Sequence, residues 1–134
     1  SGGKAILLQV SAPFHCKLMA PAREKMAQIF TQTTERENPR SLSCPYIPNR
    51  TARITSEPGV IFELLIEQVD HPVLWKQSMT AMLEAGFEHG IEFGPGKVLQ
   101  GLSKRISQAV SKSCTIHGMA DTSSLRQLET LWKA

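Results

Sequence analysis

The sequence predicts an α/β fold in which a short parallel sheet is flanked by helices. Three observations predict it. Segments near 5–10, 45–48, 87–93 and 113–117 have the length and the apolar or alternating patterning of strands. Longer segments between them repeat apolar residues at three- and four-residue steps, as amphipathic helices do. Strand, helix and strand in succession make a crossover, the connection that joins parallel neighbours.

Taken in order, Ala5-Ile6-Leu7-Leu8-Gln9-Val10 is a nearly continuous apolar run and reads as a buried strand. A buried strand needs neighbours, and only four residues precede this one, so a truncated chain is expected. Ser11-Ala12-Pro13-Phe14-His15-Cys16 reads as a turn, because Pro13 has no N–H and restricts the residue before it. From Lys17 to about Thr33, Leu18, Met19, Ala22, Met26, Ile29 and Phe30 recur at helical spacing. Residues 34–43 are a polar loop, and Pro45-Tyr46-Ile47-Pro48 a short strand weakened by its prolines. A second helix starts near Ser56 with Pro58 in its first turn, burying Val60, Ile61, Leu64, Leu65 and Val69.

Asp70-His71-Pro72 starts a third helix, with Trp75, Met79, Met82 and Leu83 on one face and Gly86 closing it. Phe87 to Phe93 alternates with period two, as a strand should. After Gly94-Pro95-Gly96, a fourth helix is expected to bury Val98, Leu99, Leu102, Ile106 and Val110. Cys114 to Gly118 is a last strand. Leu125, Leu128, Leu131 and Trp132 mark a closing helix.

Composition narrows the function classes. The apolar fraction of 41% and charged fraction of 20% are those of a globular domain. No apolar run approaches the roughly 20 residues of a membrane helix, so no membrane role is expected. The net charge of +3 is modest and its basic residues are scattered. Without a basic stripe studded with aromatics, nucleic acid is not an expected partner. Cys16, Cys44 and Cys114 fit neither a zinc-ligand spacing nor a disulfide framework, and reduced thiols in a cytoplasmic protein are the expectation.

One residue stands out as a candidate base. His15 follows a buried strand in a tight turn, where a fixed backbone lets a side chain project beyond the sheet. A loop histidine that caps a helix fits the same position. Cys16 next door makes a poor dyad with it, since adjacent side chains in extended backbone point apart. Gly94-Pro95-Gly96-Lys97 sits where phosphate loops occur, but Gly90 is one position too early and Val98 stands where Ser or Thr must reach magnesium. Close helix–strand packing explains those glycines, with an anion contact at the helix N-terminus left open. His71, His89 and His117 lack helical ligand spacing with a carboxylate, so no metal site is expected. No Gly-x-Ser-x-Gly elbow is present; the nearest match, Gly101-Leu102-Ser103-Lys104-Arg105, lacks the second glycine and falls in a helix.

Three stretches carry a further signal: Val10-Ser11-Ala12-Pro13-Phe14-His15-Cys16-Lys17-Leu18-Met19, Gln68-Val69-Asp70-His71-Pro72-Val73-Leu74-Trp75, and Glu92-Phe93-Gly94-Pro95-Gly96-Lys97-Val98-Leu99-Gln100-Gly101-Leu102. In order and spacing they resemble the bacterial malonyl-CoA:acyl carrier protein transacylases of fatty acid biosynthesis, across essentially the whole chain. The resemblance implies the C-terminal part of such an enzyme. Residues 1–10 would be the last strand of its small ferredoxin-like subdomain, and 11–134 the C-terminal part of the α/β-hydrolase-like large acyltransferase subdomain.

The implied activity moves malonyl from coenzyme A to the phosphopantetheine thiol of acyl carrier protein through a malonyl-serine. Malonyl-CoA is then a substrate, acyl carrier protein a partner, and no cofactor is required. The family's catalytic histidine falls on His15. Its orienting glutamine, which offers a backbone carbonyl to that histidine, falls on Gln68, and Gly94 to Gly96 are a fold signature. The serine elbow, the oxyanion hole and the malonate-binding arginine are expected upstream of residue 1, in a missing N-terminal part. The chain alone is therefore expected to be inactive, and to self-associate through its uncovered first strand. Two other readings stand beside this one: a non-catalytic module that binds acyl carrier protein, and a fragment left by proteolysis or cloning.

Overall fold

The computed structural model describes residues 7, 11–37 and 40–132, and the chain divides into two compact units, Ser1–Val73 and Leu74–Ala134. The expected first strand, the boundary at residue 10 and the self-association drawn from that strand fall on residues outside this set, Leu7 excepted.

In the first unit, a single 3-10 turn over Lys17–Met19 leads into helix α1, Ala20–Glu37. Pro21 lies in its first turn, where a missing N–H breaks no helical bond. Helix α2, Pro58–Glu67, begins on a proline for the same reason and runs on into a 3-10 turn over Gln68–Asp70. Phe30 and Phe62 meet edge to face at 5.6 Å and join α1 to α2. Among the described residues of this unit, Pro48, Ala52 and Ile61 are the buried apolar ones.

Two expectations are corrected here. Residues 45–48 do not form a parallel strand. Tyr46 exchanges two backbone hydrogen bonds with Thr55, of 2.8 and 2.9 Å, in an isolated antiparallel bridge. Pro45 and Pro48 cannot donate to a ladder, so pairing stops there. The helix expected from Asp70 starts only at Trp75. Pro72 pushes His71 into extended backbone, φ −125° and ψ 153°, and the chain stays out of helix until Leu74.

The second unit opens with helix α3, Trp75–Glu84. Gly86 ends it at φ +87°, and the Phe87 N–H bonds back to the Met82 carbonyl. Because that closure uses residues 86 and 87, strand β1 covers only His89–Phe93 of the expected 87–93. Helix α4 is Val98–Ala109, strand β2 is Thr115–Met119 and helix α5 is Thr122–Trp132. The two strands pair in parallel, with His89 beside Thr115 and Phe93 beside Met119, and α4 is the crossover.

Of the stripe expected for α4, Leu99, Ile106 and Val110 are half-buried, while the fully buried positions lie to one side of it. Ser103 and Ser107 are its buried residues, and the Ser103 hydroxyl meets the Met79 sulfur at 3.5 Å. Val98 and Leu102 are exposed. Small serines allow α3 and α4 to lie close, with Met79 and Leu83 buried as well. At the start of α5, Asp121 and Ser124 cap each other's backbone N–H groups at 2.8 to 3.0 Å. The Ser124 N–H and then the Ser124 hydroxyl donate to the Asp121 carboxyl and hold it below its ordinary range.

Candidate active site

The turn that carries His15 is built from local bonds. The Phe14 N–H donates to the Ala12 carbonyl at 2.9 Å, the Cys16 thiol to the Pro13 carbonyl at 3.1 Å, and the Met19 N–H to the Cys16 carbonyl at 2.9 Å. Within it His15 takes φ +59°, the left-handed region that costs a side-chain-bearing residue about 1 kcal/mol or more. The imidazole is exposed. Cys16 spends its S–H on Pro13, so the neighbouring pair is not a dyad.

The partner of His15 comes from 53 residues further on. Its Nδ1 lies 2.9 Å from the main-chain carbonyl of Gln68. A carbonyl only accepts, so Nδ1 must carry the proton, and in the neutral ring Nε2 keeps its lone pair. Nε2 has no hydrogen-bond partner among the described residues. Gln68 follows the last residue of α2, where carbonyls run out of helical N–H partners and the helix presents its negative end. The His71 N–H reaches the same oxygen at 3.5 Å. An imidazole held at one nitrogen and open at the other can take a proton from a hydroxyl or thiol.

The turn behind that carbonyl is tied down on several sides. Asn49 Nδ2 donates to the Gln68 side-chain Oε1 at 2.8 Å. Arg50 Nε lies 3.4 Å from Glu67 Oε2, an ion pair whose angle falls short of a hydrogen bond. Asp70, only 4% exposed, is paired with Arg23 of α1 at 3.6 Å and with His71 Nδ1 at 2.8 Å. His71 Nδ1 also lies 2.8 Å from the Glu67 carbonyl. Sequence reasoning missed Asn49, Arg23 and Asp70 as members of this cluster. The one legible hint was Asn49 beside Pro48, a turn signal before a helix.

The remaining candidates are accounted for. The Gly94–Gly96 turn has both glycines at positive φ, +111° and +102°. The anion contact left open at the start of α4 is taken by the chain itself: the Glu92 carboxylate accepts from the Leu99 N–H at 3.0 Å and the Gln100 N–H at 3.2 Å. Burial pushes the Cys114 thiol up, away from the reactive thiolate. His89 and His117 stack across β1 and β2 at 5.8 Å with planes 18° apart, a pairing that alternation alone did not reveal. Rings lying nearly parallel do not aim their lone pairs at one ion, and the described residues hold no group of three ligating side chains. No helix among the described residues is long and apolar enough to cross a membrane.

No family model matches the chain. A malonyl CoA-acyl carrier protein transacylase from Bacillus subtilis is 38% identical over 105 residues, which is 78% of this chain and 32% of that protein. The crystal structure of MCAT from Streptococcus pneumoniae superposes with a TM-score of 0.74 at 35% identity, over 95% of this chain and 38% of the other. A malonyl-transacylase solved in complex with its type II PKS acyl-carrier protein gives 0.72 at 32% identity, over 88% and 36%. The chain thus spans a little over a third of the length of the solved structures it matches. Along most of its own length it is homologous to the malonyl CoA-acyl carrier protein transacylases, and that is the family it belongs with.

Proposed function

We propose that this chain is the C-terminal part of a malonyl-CoA:acyl carrier protein S-malonyltransferase and supplies its catalytic base, His15. The observation that carries the reading is the bond from His15 Nδ1 to the Gln68 carbonyl, which leaves Nε2 free. The names of the related proteins support the substrates, and the solved complex with an acyl-carrier protein supports the partner.

In this reading a serine from the part of the enzyme outside these 134 residues gives its proton to His15 Nε2. Its oxygen attacks the thioester carbonyl of malonyl-CoA. The C–S bond then breaks, and the departing coenzyme A sulfur takes the proton from the imidazolium. The phosphopantetheine thiol of acyl carrier protein repeats these steps in reverse sense, losing its proton to Nε2 and freeing the serine. Throughout, the Gln68 carbonyl holds the Nδ1 proton, the task a carboxylate performs in a Ser-His-Asp triad. Three cysteines outside any disulfide suit a reducing compartment, and a cytoplasmic location belongs to the same reading.

The test is complementation. Pure chain mixed with malonyl-CoA and acyl carrier protein should transfer no malonyl. Adding a segment that carries the family's Gly-His-Ser-Leu-Gly elbow should start transfer. Turnover by the verified-pure chain alone would overturn the missing-nucleophile reading.

A further inference from the structure

The Gln68 carbonyl can hold an imidazole only if it is itself held, and the contacts around it single out one side chain. The three residues Glu67, Gln68 and Asp70 each meet a side chain from elsewhere in the chain: Arg50, Asn49 and Arg23. The Arg50 and Arg23 contacts are 3.4 and 3.6 Å ion pairs, each with its arginine more than a third exposed. The Arg50–Glu67 pair is exposed on both sides and holds geometry weakly, because water competes, while the Arg23 pair ends on buried Asp70 and not on Gln68. The Asn49 bond is different. It is 2.8 Å, partly buried, and lands on Gln68 itself, the residue whose carbonyl faces His15.

Asn49 is in turn well placed to act as an anchor. It follows Pro48, which is fully buried, and the Pro48 carbonyl accepts from both Thr51 at 3.3 Å and Ala52 at 2.9 Å. Ala52 closes that turn at φ +55°. A rigid turn with a buried foot thus presents a short amide to the end of α2.

We propose that Asn49 is a positioning residue for His15: its amide fixes Gln68, and the fixed carbonyl of Gln68 selects the imidazole tautomer with the proton on Nδ1. The proposal rests on reading His15 as the base, but its primary test does not need turnover. Bonded to Asn49, the Gln68 side chain is restrained, and with it the turn whose carbonyl also accepts from the His71 N–H. Released, the carbonyl would sample other directions, and the exposed ring would trade it for water.

The experiment is nitrogen-15 NMR of the histidine side chains in the 134-residue chain above the pH where the rings are neutral, with His15→Gln identifying the His15 signals. In the parent, the Nδ1-protonated form of His15 should dominate. Asn49→Leu, which keeps the size and removes the donor, should lower its ratio to the Nε2-protonated form by roughly fivefold, the weight of one hydrogen bond. Gln68→Leu removes the same bond from the other side and should give the same change, with the double variant adding nothing further. Asn49→Asp should restore the parent ratio, since Gln68 can turn its amide and donate. If Asn49→Leu unfolds the chain, Gln68→Leu carries the test alone.

An unchanged tautomer ratio in the folded variants overturns the positioning role and leaves His15 as base untouched. Full transfer by the complemented His15→Ala enzyme would instead overturn the base, whatever the NMR shows.

Discussion

Two loops of this molecule look equally chemical in sequence, and the structure separates them. One is the Pro13–Cys16 turn of the first unit; the other is Gly94–Lys97 of the second. Each follows a segment with strand patterning, each precedes a helix, and each contains a residue or backbone suited to a ligand. In the second, the helix N-terminus that could have received an anion already holds the Glu92 carboxylate. In the first, the imidazole is held at Nδ1 and keeps Nε2 unspent. What distinguishes a site from a joint is whether the reactive atom is left over once the fold has satisfied itself.

Backbone strain teaches the same lesson. His15 sits at φ +59° and Ser111 at φ +52°, both non-glycine residues in the left-handed region. Ser111 ends α4, where the Lys112 N–H bonds back to the Ser107 carbonyl at 2.9 Å, a position that glycine fills without cost. His15 accepts the same conformation while aiming its ring at a carbonyl 53 residues away. Strain tied to a long-range contact is a candidate for function; strain at a helix end is local chain geometry.

The comparison can be broken most directly at the histidine. In the complemented enzyme, His15→Ala should lower malonyl transfer on the order of a million-fold, as loss of a triad base does. Glu92→Ala should leave transfer largely intact. Comparable losses from both, measured as kcat/KM, would erase the distinction between the two loops. A smaller effect sharpens it. Glu92→Ala removes two capping bonds to charged oxygen and should destabilise the second unit by about 1–2 kcal/mol, read from urea unfolding. No change in the unfolding midpoint would mean that the carboxylate does not cap α4. Smallest is Ser111→Gly. It should stabilise by about 0.5–1 kcal/mol, because the exposed serine loses strain and little packing. A loss of stability there would show that Ser111 makes a contact worth more than its strain.

Much of the fold was legible in the chain. Period-two alternation located β1, helical spacing located α1 to α5 within a few residues, and the crossover length implied the parallel pairing that is observed. The misreadings have physical causes. Pro45 and Pro48 reduced a strand to a single bridge, and Pro72 delayed a helix by several residues. The most buried positions of α4 were read from its apolar residues, whereas close packing against α3 selected two serines.

His15 and Gln68 were paired through the likeness of their surroundings to a known family, and residue spacing alone would not have joined them. By itself the sequence determined the local matters: where helices start on proline, where glycine lets them stop, and which histidine occupies a turn before a helix. Those follow from steric rules that act within a few residues. Only the tertiary structure decided that the α2 terminus meets His15, that Asn49 holds Gln68, and that Glu92 fills the α4 terminus. A hydrogen bond between distant residues depends on ångström-level placement of two elements, and periodicity carries no information at that scale.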